Sequence, residues 1–305
     1  MNKLDIAGRS KIWFAISTVV IVAGIICMCV RGFNFGIDFT GGTIIDLKFE
    51  RPVAIAEVRS SLAKFGLEGS TIQLSGAQSD VTSAADVMIR SVDMEEEQRK
   101  EVMAALKSDV GDYTVMREEK VGATIGGELI TNAVLALVVS WALIIAYVAY
   151  RFEWRFGVAA VLALIHDILI VLAVFSFTGR QIDSSFIAAL LTVVGYSIND
   201  TIVIFDRIRE NLKLHFRRGG DVVQLVNTSI FQTLTRSLYT VFTVLFTTFA
   251  LYFFGGETTK DFAFALLVGF GIGCYSSIFI ASPLWITFRK MGDKKKVAAN
   301  AAVAK

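Results

Sequence analysis

Apolar residues in this chain gather into long runs that are separated by shorter polar segments. Runs of about 18 or more apolar residues are long enough to cross a bilayer as helices. The pattern predicts six spans, at residues 12–30, 129–150, 156–178, 184–206, 235–254 and 262–287. The first run is longer than a signal-peptide core and no small-x-small cleavage site follows it, so we predict that it is retained as a span.

A different periodicity fills the long segment between the first two runs. Alternating apolar and polar residues predict strands at 43–50, 70–74, 86–92 and 113–121, and helical spacing predicts helices at 54–65 and 94–109. The order βαββαβ is typical of a ferredoxin-like fold. We therefore predict an α-helical polytopic membrane protein of six transmembrane helices, with a small α+β domain between helices one and two. The predicted boundaries are 1–31, 32–127, 128–288 and 289–305.

Lys and Arg residues concentrate at alternate ends of the predicted spans. They cluster in the N-terminal segment, at 151–155, at 207–218 and in the tail at 289–305. By the positive-inside rule both termini are then cytoplasmic and segment 32–127 is extracytoplasmic. Tryptophans at the predicted inner boundaries fit the role of interface anchors: Trp13, Trp154 and Trp285. The basic, low-complexity tail is expected to be disordered.

Composition narrows the possible functions. With 54% hydrophobic residues, the chain lacks the polar helix faces that a soluble protein of this length requires. Segment 32–127 contains neither histidine nor cysteine, which argues against a metal site or thiol chemistry there. The cysteines fall within spans and are interpreted as apolar packing residues: Cys27, Cys29 and Cys274. Basic residues follow the membrane boundary and form no patch on the soluble segment, so no nucleic-acid partner is expected.

Ionisable residues inside the predicted spans are the candidate functional residues. A carboxylate in hydrocarbon is costly and by default marks an ion or proton path with a partner nearby. Asp200 lies in the fourth span beside Asn199, and His166 with Asp167 lies in the middle of the third. We predict that these residues belong to a proton path. A buried histidine is also often only a hydrogen-bonded core residue, and this alternative stays open for His166.

Arg236 opens the predicted fifth span, and the helix rise places it at a depth similar to that of Asp200. An ion pair between the two would partly cancel two desolvation penalties. It would also act as a switch, because a protonated Asp200 would release the arginine. The alternative is that Arg236 snorkels to the inner headgroups.

Two further groups of residues suggest structural roles. Gly269 and Gly273 form a G-x-x-x-G pair in the last span, which permits close helix packing, either within the chain or against a partner. Charged residues that follow the fourth span are expected to form a salt-bridge network at the cytoplasmic edge: Asp206, Arg207, Arg209 and Glu210.

Three motifs resemble those of SecF proteins in the SecD/SecF family, within the resistance-nodulation-division superfamily. They are FNFGIDFTGGT after the first span, LIHDILI in the third and VGYSINDTIVIFDRIREN through the fourth. The family's functional aspartate falls on Asp200 and its fifth-span arginine on Arg236. Other motif residues are Gly36, Asp38, Gly41, Gly42, Gly195, Asp206 and Arg207.

The resemblance implies an accessory subunit of the bacterial Sec protein-export machinery in the inner membrane. The implied partners are SecD, the SecYEG channel, YajC, unfolded preprotein on the extracytoplasmic side and the surrounding lipid bilayer. The resemblance also implies that a proton gradient supplies the energy, with Na⁺ as the alternative coupling ion. No cofactor, metal or catalytic residue is expected.

Two other functions are open on the residues alone. A lipid or small-molecule exporter half-unit of the same superfamily would share these spans, but that class usually has much larger outer domains. An intramembrane hydrolase would need facing carboxylates, such as Asp167 and Asp200, or a serine near His166. No recognisable motif for either chemistry surrounds these residues, so we predict a transport component and not an enzyme.

Overall fold

A computed structural model describes residues 5–75, 83–215 and 220–303. The helices within these ranges are α1 (Ser10–Arg31), α2 (Ile37–Thr40), α3 (Ile55–Ala63), α4 (Glu96–Asp109), α5 (Ala123–Arg151), α6 (Trp154–Thr178), α7 (Ser184–His215), α8 (Val222–Phe254), α9 (Glu257–Ser276) and α10 (Ser282–Val303). A π-helical segment, Ser277–Ala281, joins α9 to α10. The strands are β1 (Asn34–Phe35), β2 (Gly42–Ala54), β3 (Thr71–Ser75), β4 (Ser83–Ser91), β5 (Tyr113–Val121) and β6 (Gln181–Ile182).

Within the described residues, six helical segments are long and apolar enough to cross a membrane. They are α1, α5, α6, α7, α8 and the continuous α9–π–α10 helix. This confirms the prediction of a mostly helical chain with six candidate spans and a small sheet domain. The chain divides into two compact units, residues 35–134 and residues 1–34 with 135–305.

Several predicted boundaries were too short, because polar residues extend the helices beyond their apolar segments. Helix α7 continues to His215, so most of the predicted basic loop at 207–218 is helical, and residues 216–219 lie outside the described residues. Helix α8 begins at Val222, which places Arg236 well inside it. The predicted disorder of the tail is wrong, since α10 runs to Val303. Ala and Lys, which dominate that segment, are strong helix formers.

The unit of residues 35–134 contains a four-stranded antiparallel sheet in the order β3–β4–β2–β5, with the element order βαββαβ. Alternation along β2 places Ile45, Leu47 and Phe49 on one face, where they form a core with residues of α3 and α4 such as Val58 and Leu106. The chain enters β2 through Gly41 and Gly42, whose φ angles are 72° and 138°. A Cβ atom on Gly42 would lie 2.5 Å from the Ser91 carbonyl oxygen.

In the membrane unit, α6 is largely buried, and α1 and α9 pack against it. Phe156 of α6 stacks on Trp285 of α10 with ring centroids 4.7 Å apart. Trp285 is fully buried, so its predicted role as an interface anchor is wrong: its ring is covered by protein. By contrast, Trp154 is exposed at the first turn of α6.

Small residues permit close packing of α9 against α7. A Cβ atom on Gly269 would lie 2.2 Å from Val193 Cγ2, and one on Gly273 would lie 3.0 Å from Ser197 Cβ. The G-x-x-x-G pair therefore packs within the chain. This close approach brings the polar side chains of α7 within reach of those on α9 and on the π-helical segment.

Candidate functional site

A buried histidine–aspartate pair lies in the middle of α6. His166 is 5% exposed and Asp167 is 1% exposed. The Nδ1 atom of His166 lies 3.0 Å from Asp167 Oδ1. The other carboxylate oxygen, Oδ2, accepts hydrogen bonds from Ser197 Oγ of α7 at 2.7 Å and from Ser276 Oγ of α9 at 2.8 Å. Both carboxylate oxygens thus have protein partners, as a buried charge requires.

The hydrogen-bonded chain continues from His166 to the first helix. Its Nε2 atom lies 3.0 Å from Ser17 Oγ of α1, and Ser17 Oγ lies 3.3 Å from the Tyr275 hydroxyl of α9. The Tyr275 ring also stacks near the imidazole, with centroids 6.0 Å apart. We call this set of residues the Asp167 cluster: Ser17, His166, Asp167, Ser197, Tyr275 and Ser276. It joins α1, α6, α7 and α9.

The π-helical segment begins directly after Ser276. Its first residue, Ser277, exchanges a hydrogen bond of 2.8 Å with Thr201 of α7 and donates to the Ser197 carbonyl. The hydroxyl of Ser282 donates to the Ser277 carbonyl at 3.2 Å. Single π turns inside α-helices occur frequently at functional sites. Here the π turn starts where two successive serines bond to two different helices, α6 and α7.

Asp200 lies on α7 three residues after Ser197, and it is only half-satisfied. Its Oδ1 atom accepts a hydrogen bond of 2.5 Å from Ser237 Oγ of α8. Its Oδ2 atom is buried and has no hydrogen-bond partner among the described residues. A buried acceptor without a partner costs free energy, which sets Asp200 apart from Asp167.

The predicted ion pair between Asp200 and Arg236 is not formed in this structure. Among the described residues, the carboxylate bonds to Ser237, the residue that follows Arg236, while the arginine side chain is exposed. The bond from Ser237 brings the turn of α8 that carries Arg236 against α7 at Asp200.

The other predicted residues lie in several places. Asn199 and Gly195 are exposed on α7. At the end of α7, Asp206 pairs with Arg209 and Arg207 with Glu210, each at 2.6 Å. In the other unit, Asp38 lies within the short helix α2, Gly36 precedes it, and Gly41 and Gly42 follow it. The sequence did not predict the hydroxyl partners of the ionisable residues, which are Ser17 on His166, Ser276 on Asp167 and Ser237 on Asp200. Serines within apolar runs were the available signal.

Comparison with known proteins identifies the family. Residues 101–291 match the model described as protein export membrane protein SecD/SecF, C-terminal, and residues 28–53 match the SecD/SecF GG motif. The chain belongs to the SecD/SecF family. It is 51% identical over 290 residues to protein translocase subunit SecF of Acidaminococcus fermentans, covering 95% of this chain and 99% of the relative.

Two comparisons with SecDF show the family in a longer chain. Protein translocase subunit SecDF of Thermus thermophilus is 42% identical, with 87% of this chain and 36% of the relative covered. A crystal structure of SecDF from the same organism, described as a translocon-associated membrane protein, has a TM-score of 0.83 at 39% identity. The match covers 93% of this chain but 38% of the SecDF chain. The protein is thus a bacterial membrane protein of a protein translocase family.

Proposed function

We propose that this chain is an accessory subunit of the Sec export machinery that works with SecD and uses the proton-motive force to promote preprotein translocation. The observation that carries the proposal is the half-satisfied carboxylate of Asp200, with one oxygen bonded to Ser237 and the other unpartnered near Arg236. A carboxylate at this depth is expected to exchange a proton or to bind a counter-ion during function.

Protonation of Asp200 would change its interactions with the neighbouring side chains. The ionised carboxylate attracts Arg236, whereas the neutral acid releases it and can donate a hydrogen bond from its second oxygen. One charge crossing 100 mV is worth about 2.3 kcal/mol, which biases a two-state equilibrium roughly fifty-fold. Proton entry and exit at Asp200 could therefore drive a domain movement. We assign Asn199, His166 and Asp167 to the same path, with H⁺ as the coupling ion and Na⁺ as the alternative.

Exposed polar residues support a partner on the face formed by α7 and α8. This face carries Asn199, Arg236 and Thr243, all of them exposed in the isolated chain. Polar side chains within a span seldom face lipid, so protein is expected to cover them. The covalent SecDF relative makes SecD the natural occupant. The SecYEG channel, YajC and the emerging preprotein are proposed as further partners from the family resemblance.

The proposed orientation places both termini in the cytoplasm and residues 32–127 on the extracytoplasmic side of the inner membrane. The basic segments near Arg155 and Arg289 then face the cytoplasm, as the positive-inside rule requires. The strand order β3–β4–β2–β5 supports a ferredoxin-like assignment of the outer domain. We propose that this domain moves as the membrane unit is protonated and deprotonated.

Substitution of Asp200 by Asn tests the proposal, because it keeps the shape and removes the charge. The assay is preprotein export from energised inverted membrane vesicles that contain the chain with its partners, with and without an uncoupler. We expect the uncoupler-sensitive component of export to disappear while complex assembly stays normal. The matched control is Glu210→Gln, which removes an exposed carboxylate from the same helix. An unchanged uncoupler response in Asp200→Asn would reject the proposal.

A further inference from the structure

Helix α1 docks on the membrane unit along a narrow stripe. Of its residues, Ser17 and Gly24 are the buried ones, seven positions apart on one face. Gly24 packs so closely that an added Cβ atom would lie 2.4 Å from Ala173 Cβ of α6. Ser17 instead makes polar contacts, to His166 Nε2 at 3.0 Å and to the Tyr275 hydroxyl at 3.3 Å. The α1 helix is therefore tied directly to the histidine–aspartate pair.

The Ser17 hydroxyl satisfies His166 in either of its protonation states. A neutral imidazole that donates from Nδ1 to Asp167 accepts a hydrogen bond at Nε2, and Ser17 can donate it. A protonated imidazole donates from both nitrogens, and Ser17 then accepts from Nε2 and donates to Tyr275. Hydroxyl groups rotate freely between these roles. The cluster can thus gain or lose a proton without leaving a buried polar atom unpaired.

The two states differ in how strongly they hold α1. A hydrogen bond from a protonated imidazole is charge-assisted and roughly twice as strong as a neutral one. At its C-terminal end, α1 has separate contacts with α6, from Ser176 Oγ to the Gly32 carbonyl at 2.9 Å and from Arg31 to the Phe177 carbonyl at 2.6 Å. The chain then continues from α1 directly into the unit of residues 35–134.

We propose that Ser17 is a positioning residue that transmits the protonation state of the His166–Asp167 pair to α1, the helix that leads into the 35–134 domain. The proposal rests on the proposed function, and it assigns the coupling step to a bond between α1 and α6. Protonation tightens the docking of α1, and proton loss loosens it. The protonation state of the Asp167 cluster thereby affects the outer domain through α1. Asp200 instead bonds to α8.

Few ionisable groups contact His166 among the described residues. Within the described residues, Asp167 on its own helix and Tyr275 on α9 are the titratable groups in contact with it. Helices α1 and α7 present only the hydroxyls of Ser17 and Ser197 to the pair. Asp200, the nearest ionisable residue on α7, bonds to Ser237 of α8 and takes no part in the chain of hydrogen bonds.

Two native cysteines on α1 provide the measurement. Cys27 is partly buried and its sulfur lies 3.7 Å from Ser176 Oγ, whereas Cys29 is exposed. In the full chain in membranes, single-cysteine variants that keep only Cys27 or only Cys29 are labelled with a maleimide between about pH 5 and pH 8, the range in which histidine titrates. Labelling rates of the same two variants after unfolding in detergent give the pH dependence of thiol reactivity for each, by which the folded rates are divided before the ratio is taken.

We expect the Cys27:Cys29 ratio to rise on the order of fivefold from the acidic to the basic end of this range, as α1 loosens. Ser17→Ala should raise the ratio at all pH values and abolish its pH dependence. His166→Gln keeps a hydrogen-bonding side chain that does not titrate, so its ratio should also be independent of pH. Thr18→Val removes the neighbouring exposed hydroxyl and should behave like the parent.

A Ser17→Ala variant that keeps the pH dependence of the parent would overturn the proposal, as would a His166→Gln variant that keeps it. If Ser17→Ala fails to fold, the His166→Gln variant decides.

The Asp200→Asn variant separates this inference from the proposed function. It should remove the uncoupler-sensitive export and leave the pH dependence of the ratio intact. Normal export in Asp200→Asn would reject the proton-driven function, whereas a flat ratio in the parent would reject only the α1 coupling.

Discussion

The two carboxylates of the membrane unit differ in how completely the protein satisfies them. Asp167 is 1% exposed and both of its oxygens have partners, drawn from His166, Ser197 and Ser276. Asp200 has one partner, Ser237, and a second buried oxygen without one. A fully satisfied buried network rigidifies a structure, whereas a half-satisfied one does not gain that stabilisation. The membrane unit therefore holds a fully bonded carboxylate, Asp167 on α6, and a half-bonded one, Asp200 on α7.

Removal of Asp167 should be far more damaging to stability than removal of Asp200. In Asp167→Ala, three buried donors lose their acceptor, and we expect unfolding to become easier by about 3–5 kcal/mol. In Asp200→Ala only the bond to Ser237 is lost, which should cost about 1 kcal/mol or less. Denaturant unfolding of the purified full-length chain, followed by circular dichroism at constant pH, measures both. Equal losses in the two variants would show that the comparison is wrong.

The close contact between α7 and α9 should matter next most, because it holds Ser197 and Ser276 around Asp167. In Gly269→Ala the new methyl would overlap Val193, so the helices must separate, at an expected cost of about 1–3 kcal/mol. Gly271→Ala is the matched control, because nothing lies within 4 Å of its Cβ position. There the higher helix propensity of alanine should stabilise the chain slightly. Destabilisation of the same size in both variants would contradict this packing account.

Periodicity predicted much of this architecture, since hydrophobic runs and alternation depend on local sequence. The six candidate spans and the small sheet domain follow from it. Helix ends did not, because α7 continues through charged residues to His215 once its apolar part has anchored it. Trp285 looked like an interface residue at its position along the span, but rotation of α10 turns it into the core against Phe156. Rotation depends on packing between distant segments.

The ionisable residues of the candidate site were visible in the sequence, but their partners were not. Helix rise placed Asp200 and Arg236 at a similar depth, and α7 and α8 do bring them close. The side chain that bonds to the Asp200 carboxylate is set by rotamers and by the rotation of α8, where a difference of one residue changes the partner. In the structure that partner is Ser237, not Arg236. Ser17 lies 149 positions before His166, and no local pattern links them.

A double-mutant cycle between Asp200 and Ser237 would sharpen the description of the switch. Ser237→Ala and Asp200→Ala should each change the unfolding free energy modestly, with a coupling energy of about 1 kcal/mol, the net value of one such hydrogen bond. Thr247→Ala on the same helix is the control, since its hydroxyl bonds only to backbone carbonyls of α8. Coupling within about 0.3 kcal/mol of zero would mean that Ser237 does not hold the carboxylate.

The smallest expected effect concerns a carboxylate outside the membrane unit, Asp46 of β2. Its Oδ1 atom is buried without a partner among the described residues, as is the Oδ2 atom of Asp200. Burial raises the pKa of Asp46, and the attraction of Arg117 and Arg90 partly offsets this. The raised pKa means that the folded domain disfavours the ionised form. Asp46 therefore contributes stability that is present below its unfolded pKa and is lost as the pH rises through its folded pKa.

Asp46→Asn should remove this pH dependence and stabilise the 35–134 domain at neutral pH by less than about 1 kcal/mol, because the side chain is only half-buried and solvent screens it. Hydrogen exchange of β2 amides in the full-length chain, corrected for intrinsic rates, measures the change. Asp109→Asn is the control of opposite sign, since hydrogen bonds from Lys64 and Ser61 lower the pKa of Asp109. Its stabilising contribution is present at neutral pH and is lost on acidification. The pH dependence of β2 stability should change in opposite directions in the two variants. If it changed in the same direction, an unpartnered oxygen would not mark a destabilised carboxylate. The interpretation of Asp200 as a switch would then lose its main structural support.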